Sequence, residues 1–159
     1  MTKRKLIAAL ASGLVAVAVG AAIAAAGTGS ENGNQLAGTW TVTVNRPAPL
    51  PPLTSLQIYT ATGTMIESAN DIASRSPQYA SWERVHGREY AATGLFFRFD
   101  PQTGAFIGKQ KINRTIELSS DGQSFTFQAR VTIYDAGGNT VTTIPVSGTG
   151  QRLEVEAES

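Results

Sequence analysis

The sequence has no cysteine and a single histidine, His86. Without thiols there is no disulfide framework, no thiolate metal site and no cysteine nucleophile, and one imidazole per chain excludes a multi-histidine centre. Charge is scarce as well: 16% of the residues are Asp, Glu, Lys or Arg, against about 25% in an average soluble protein. Hydrophobic residues make up 42%, enough for a core, so the low charge does not signal disorder. Catalytic carboxylate pairs, phosphate-binding glycine loops and nucleophile elbows are absent, and nothing points to a cofactor or a bound metal. At 159 residues the chain is expected to form one domain.

The formal charge of +1 is unevenly distributed. Lys3, Arg4 and Lys5 open the chain, and all 12 acids follow residue 30, so the remainder holds ten bases against those 12 acids, a formal −2. Such a domain, its bases scattered from Arg46 to Arg152, lacks the footprint of a nucleic-acid binder. The three N-terminal bases precede an uncharged Ala-rich stretch from Leu6 to Ala26, which ends in small residues before Gly27-Thr28-Gly29-Ser30. This is the pattern of an export signal over 1–26, followed by a linker over 27–36 and a barrel domain over 37–157. The protein is expected to be secreted or periplasmic. The alternative is a retained N-terminal anchor, the one membrane contact the sequence suggests.

From Gly38 onward apolar residues alternate with period two, between turn signals rich in Gly, Pro, Asn and Asp. Strands are predicted near 39–45, 55–60, 64–68, 79–85, 88–99, 105–118, 124–135 and 139–156, with one helical turn between Ser68 and Ser76. Short turns make neighbouring strands antiparallel. Eight such strands, the last four long, suit an all-β, up-and-down meander closed into a barrel.

The turns also suggest the register. Phe99 would face Phe106 and Phe97 would face Gly108; Ile116 would face Phe127 and Arg114 would face Ala129. Phe127 and Phe125 would meet Gly148 and Gly150. Bulky residues against glycine fill the inner face of a tightly curved barrel. This reading points Leu95, Phe97, Phe99, Phe106, Ile112, Ile116, Phe125, Phe127, Val131 and Ile133 inward, with Gln110 and Arg114. Trp82, placed opposite Ala91, points inward too. Lys109, Lys111, Asn113, Glu117, Gln128 and Arg130 form the outside.

Gly38-Thr39-Trp40 at the start of the first strand, together with Arg152 near the end of the last, resembles the lipocalins and the wider calycin superfamily. In that group the tryptophan packs beneath a late arginine at the closed end of the barrel. The sequence shows neither the C-terminal helix of typical lipocalins nor their Thr-Asp-Tyr-like second motif. It looks closer to short bacterial barrels that include allene oxide cyclase-like and spirotetronate-cyclase-like proteins. The resemblance implies either an apolar ligand or a polyene-folding reaction, with Trp40 and Arg152 as the structural closure.

Trp40 and Arg152 would share one end with the turns at 61–63, 86–87 and 119–122, and the proline-rich Arg46–Leu53 would form a lid over the other. Trp82, Phe97, Phe99, Phe106, Gln110, Arg114 and Val131 are the candidate ligand-binding residues. Arg114 would hold an acidic or carbonyl group; the plainer alternative pairs it internally with Glu67 or Glu83. Trp82 and Gln110 line a cavity or fill a core. His86 is a turn residue, and the facing of Tyr59, Glu67, Glu83 and Tyr90 stays open. The leading expectation is an exported barrel that binds a small lipophilic ligand, without cofactor. The alternatives are a metal-independent cyclase or isomerase using the same cavity, and a structural or interaction domain with a filled core.

Overall fold

The computed structural model describes residues 35–158; the expected export signal and most of the linker lie outside them. Eight antiparallel strands form a closed up-and-down barrel: β1 Gly38–Asn45, β2 Leu53–Tyr59, β3 Thr64–Ala69, β4 Gln78–His86, β5 Glu89–Phe99, β6 Phe106–Leu118, β7 Ser124–Tyr134 and β8 Thr140–Arg152. β1 pairs with both β2 and β8, so no strand edge remains open. Among the described residues one 3₁₀ turn, Ile72–Ser74, interrupts the β structure, at the place where a helical turn was expected.

Aspartates shape three of the hairpins. Asp100 Oδ1 accepts from the backbone N–H groups of Thr103 and Gln102, Asp121 Oδ1 from the Ser119 hydroxyl and the Gln123 N–H, and the Asp135 carboxylate from the Asn139 side-chain amide and backbone N–H. These bonds favour the ionised carboxylate and hold all three below the ordinary aspartate value.

Between β6, β7 and β8 the register follows the expectation. Ile116 faces Phe127 and Arg114 faces Ala129, while Phe127 and Phe125 face Gly148 and Gly150. The Phe125 ring fills the space a side chain at Gly150 would need, and Phe127 does the same at Gly148. Trp40 and Tyr59 join Phe125 edge-on, with ring centroids 4.8 and 6.3 Å away.

Two hairpins depart from it. Phe99 pairs with Phe106 as expected, but Gly108 pairs with Arg98 rather than Phe97, which leaves Ile107 as an extra residue in β6. Gly108 absorbs this bulge at φ 135°, where a side chain would strike the Tyr134 carbonyl. The displacement reverses part of the facing: Phe96 is buried, whereas Phe97 and Phe106 are 50% and 47% exposed. Leu95 likewise turns outward, opposite Lys111 and Tyr79. Phe97 and Phe106 stack edge-on outside the lumen, centroids 5.9 Å apart. In the other hairpin a bulge near Arg84–His86 pairs Trp82 with Ala92 rather than Ala91. Trp82 still faces inward.

The inside has two levels. At the closed end Trp40, Tyr59, Met65, Trp82, Tyr90, Leu118 and Phe125 belong to one buried cluster. A smaller cluster of Phe96, Ile112 and Val131 lies apart from it, on the wall of a cavity toward the other end.

Candidate functional site

The closed end is sealed around Arg152. Its guanidinium carbon lies 4.3 Å from the centre of the Trp40 ring, and its N–H groups donate to the carbonyls of Gly122, Ala37 and Gln35 at 2.8, 2.9 and 2.6 Å. Trp40 Nε1–H donates to the Leu36 carbonyl at 3.0 Å. The indole is thereby buried with its one polar group satisfied.

Above this plug the barrel holds a polar layer. In β2 the inward residues are Leu53, Ser55, Gln57 and Tyr59, and in β3 they are Met65, Glu67 and Ala69. Pairing sets Gln57 beside Glu67 and Glu67 beside Gln78 of β4. Gly94 leaves room for the Gln78 amide. Arg114 reaches this layer from β6, and Arg75, just beyond the 3₁₀ turn, reaches it from the open end.

Glu67 is the hub. Its Oε1 accepts from Arg75 Nη2 at 2.8 Å, and its Oε2 accepts from Gln57 Nε2 at 3.0 Å and Arg114 Nη2 at 3.5 Å. Arg114 Nη1 also donates to Gln57 Oε1 at 3.0 Å and to the Tyr59 hydroxyl oxygen at 3.4 Å. Tyr59 in turn donates to Gln57 Oε1 at 2.9 Å. Burial raises the Tyr59 pKa, with the Arg114 charge opposing, so Tyr59 stays a neutral donor. Burial alone would lower the Arg114 pKa, but Tyr59 and Glu67 outweigh it and the guanidinium remains charged. Arg114 Nε is buried without a hydrogen-bond partner among the described residues. The side chain thus keeps one buried N–H without a partner, while Glu67, which it shares with Arg75, supplies its counter-charge.

A cavity of about 380 Å³ lies over this layer. Phe96, Ile112, Phe127, Val131, Ile133, Ile144 and Val146 form apolar walls, while Glu67, Arg75 and Arg114 form a charged floor. Arg46, Leu50, Arg98, Phe99 and Pro101 stand around the mouth. Arg75 stacks on Phe96, 3.8 Å from the ring centre. The proline-rich connection after β1 closes on itself through Arg46 Nε–H and the Pro51 carbonyl at 2.8 Å. A larger depression, about 820 Å³, runs along the outside of β5 to β8. It is open to solvent along its length and rimmed by Thr93, Asn113, Gln128 and Thr143, so it encloses nothing.

Of the candidate ligand-binding residues, Phe99, Gln110, Arg114 and Val131 line the cavity. Phe97 and Phe106 do not, because of the Ile107 bulge. Trp82 belongs to the closed-end core, 5.9 Å from Tyr59 and 5.7 Å from Tyr90 between ring centres, and its indole N–H donates to the Thr64 carbonyl. Glu67, not Glu83, partners Arg114, since Glu83 is exposed on the outer face. His86 sits at a hairpin with its side chain 73% exposed. The reading from sequence missed Gln57, Arg75, Phe96 and Arg98. The turn at 61–63 was a usable signal: the Thr60–Thr64 backbone bond closing it sets Gln57 opposite Glu67.

Among the described residues no group of three His, Asp or Glu side chains is placed to hold a metal. The chain matches no protein-family model, no curated protein and no solved structure.

Proposed function

We propose that this protein is an exported barrel of the calycin type that holds a small apolar or amphiphilic molecule in its lumen. The observation that carries this reading is the cavity of about 380 Å³, blocked at one end by the Trp40–Arg152 plug. Its volume falls within the roughly 300–1,000 Å³ of small-molecule sites. Apolar walls would take the body of the ligand, and the floor of Glu67, Arg75 and Arg114 would meet its inner end. The Trp40–Arg152 contact supports the calycin resemblance. A cavity of this size counts against a purely structural barrel with a filled core.

The charged floor supports a second reading. Arg75 and Arg114 would polarise a substrate carbonyl while the walls held a flexible chain in a reactive fold, as a cyclase or isomerase requires. One experiment separates the readings: titration of fluorescent fatty-acid and polyene probes into the protein and into a Val131→Trp variant, whose indole fills the lumen. Saturable binding that the variant loses supports the lumen site. No saturable binding to the unaltered protein would refute it, and conversion of the polyene at catalytic protein concentrations would favour the enzyme. N-terminal sequencing of the extracellular protein should find a start near Gly27, whereas an intact Met1 in the membrane fraction would establish the anchored form.

A further inference from the structure

We propose that the ligand is an amphiphilic carboxylate bound with its head at the mouth, on Arg98, and its tail toward the floor. The inference rests on the lumen-binding reading and specifies its ligand. Four arginines line the cavity, Arg46, Arg75, Arg98 and Arg114, against two acids, Glu67 and Asp71. Both acids are engaged. Glu67 holds Arg75 and Arg114 at 2.8 and 3.5 Å, and Asp71 lies 3.9 Å from Arg75 and 4.0 Å from Arg46. Among the described residues nothing balances Arg98, whose side chain makes no hydrogen bond or ion pair there.

Its position gives that charge a purpose. Tyr90, Ala92, Gly94 and Phe96 are the inward residues of β5, and Arg98 continues the alternation at the rim beside Phe99 and Ile107. Arg98 is half-buried where it lines the cavity, and an arginine so placed can lay its stem against apolar walls while its guanidinium keeps contact with water. A guanidinium there can take a carboxylate through two parallel charge-assisted bonds, and the low-dielectric walls strengthen the attraction. The floor is the wrong place for the same group. A carboxylate on Arg114 would stand beside the Glu67 carboxylate, which already lies 3.5 Å from that arginine, and like charges in a buried site repel. Acidic head outward and uncharged end inward is the orientation that satisfies both ends.

The test is calorimetric titration of decanoate and decanol into the full-length protein and into Arg98→Gln. Arg98 has no internal partner to lose, so the variant should fold normally, which circular dichroism verifies. The unaltered protein is expected to prefer decanoate, and Arg98→Gln to weaken decanoate roughly ten- to a hundredfold, the scale of a hydrogen bond to a charged group, with decanol unchanged. Raising salt should weaken decanoate alone. Equal affinity for acid and alcohol, or an acid preference that survives Arg98→Gln, would overturn the mouth-anchored carboxylate and leave lumen binding standing. Failure of both ligands to bind the unaltered protein would overturn lumen binding and this inference with it.

Discussion

Replacing Glu67 with glutamine removes the one carboxylate between two buried guanidiniums. Arg75 and Arg114 have side chains 6% and 3% exposed, and among the described residues Arg114 has no second acid within ion-pair distance. Removing one partner of a buried pair costs about 3–5 kcal/mol, because the remaining charge is left uncompensated. Glutamine keeps one acceptor oxygen but turns an N–H₂ toward either the Arg75 donor or the Gln57 and Arg114 donors. Part of the network is then donor against donor, and the expected loss is about 4 kcal/mol. Domains of this size have roughly 5–15 kcal/mol of stability, so the melting temperature should fall by roughly 10–20 °C. Urea unfolding followed by tryptophan fluorescence measures it, since Trp40 and Trp82 are both buried. Adding Arg114→Met should recover about 2 kcal/mol, as it removes the stranded charge. A loss below about 1 kcal/mol, the scale of an exposed ion pair, would show that water reaches the guanidiniums and that the layer is not closed.

Arg152→Ala should cost about 2–3 kcal/mol, from the cation–π contact and the bonds to three carbonyls, and leave probe binding at the opposite end intact; thermal melts and titration of the same sample check both. Gly150→Ala should destabilise the fold by about 1–3 kcal/mol and be rescued by Phe125→Leu, because the Phe125 ring is what a new Cβ meets. Gly148→Ala should resist rescue by Phe127→Leu, since the Thr43 backbone carbonyl also blocks that site. The raised Tyr59 pKa means the folded state holds this proton more tightly than the unfolded chain. Its contribution is full below the ordinary value of 10.0 and lost as pH rises through the raised one, so Tyr59→Phe should flatten the alkaline limb of the stability profile. The lowered Asp100, Asp121 and Asp135 values act in the opposite sense: their contribution is present above the ordinary value of 3.8 and lost as pH falls through the depressed values.

Much of the barrel was legible because its long strands follow simple rules. In β6, β7 and β8 the inward positions are largely apolar, the turns carry Gly and Asp, and phenylalanine meets glycine across the ladder. Periodicity and turn length then determine both facing and register. Strand β2 inverts the pattern: it buries Ser55 and Gln57 while Leu56 and Ile58 stand 53% and 48% exposed. A reading that sends apolar residues inward cannot find a polar layer assembled from such a strand. Phe96 and Phe97 present a different difficulty, since two adjacent phenylalanines fit either register and the one-residue bulge at Ile107 decides between them.

Local alternation and turn chemistry were enough for the all-β meander and for the large-against-small inner face of its last strands, while the Trp40–Arg152 contact was expected from the resemblance to the calycins. Three-dimensional closure was needed to show that Arg114 and Arg75 share Glu67, that Trp82 joins the plug rather than the cavity, and that Arg98 has no ion-pair partner among the described residues. Those outcomes depend on which side chains meet across the lumen. Gln57 and Arg114 are hydrogen-bonded though 57 residues apart, and that distance is set by strand tilt, closure and a single bulge, which no local pattern of residues encodes.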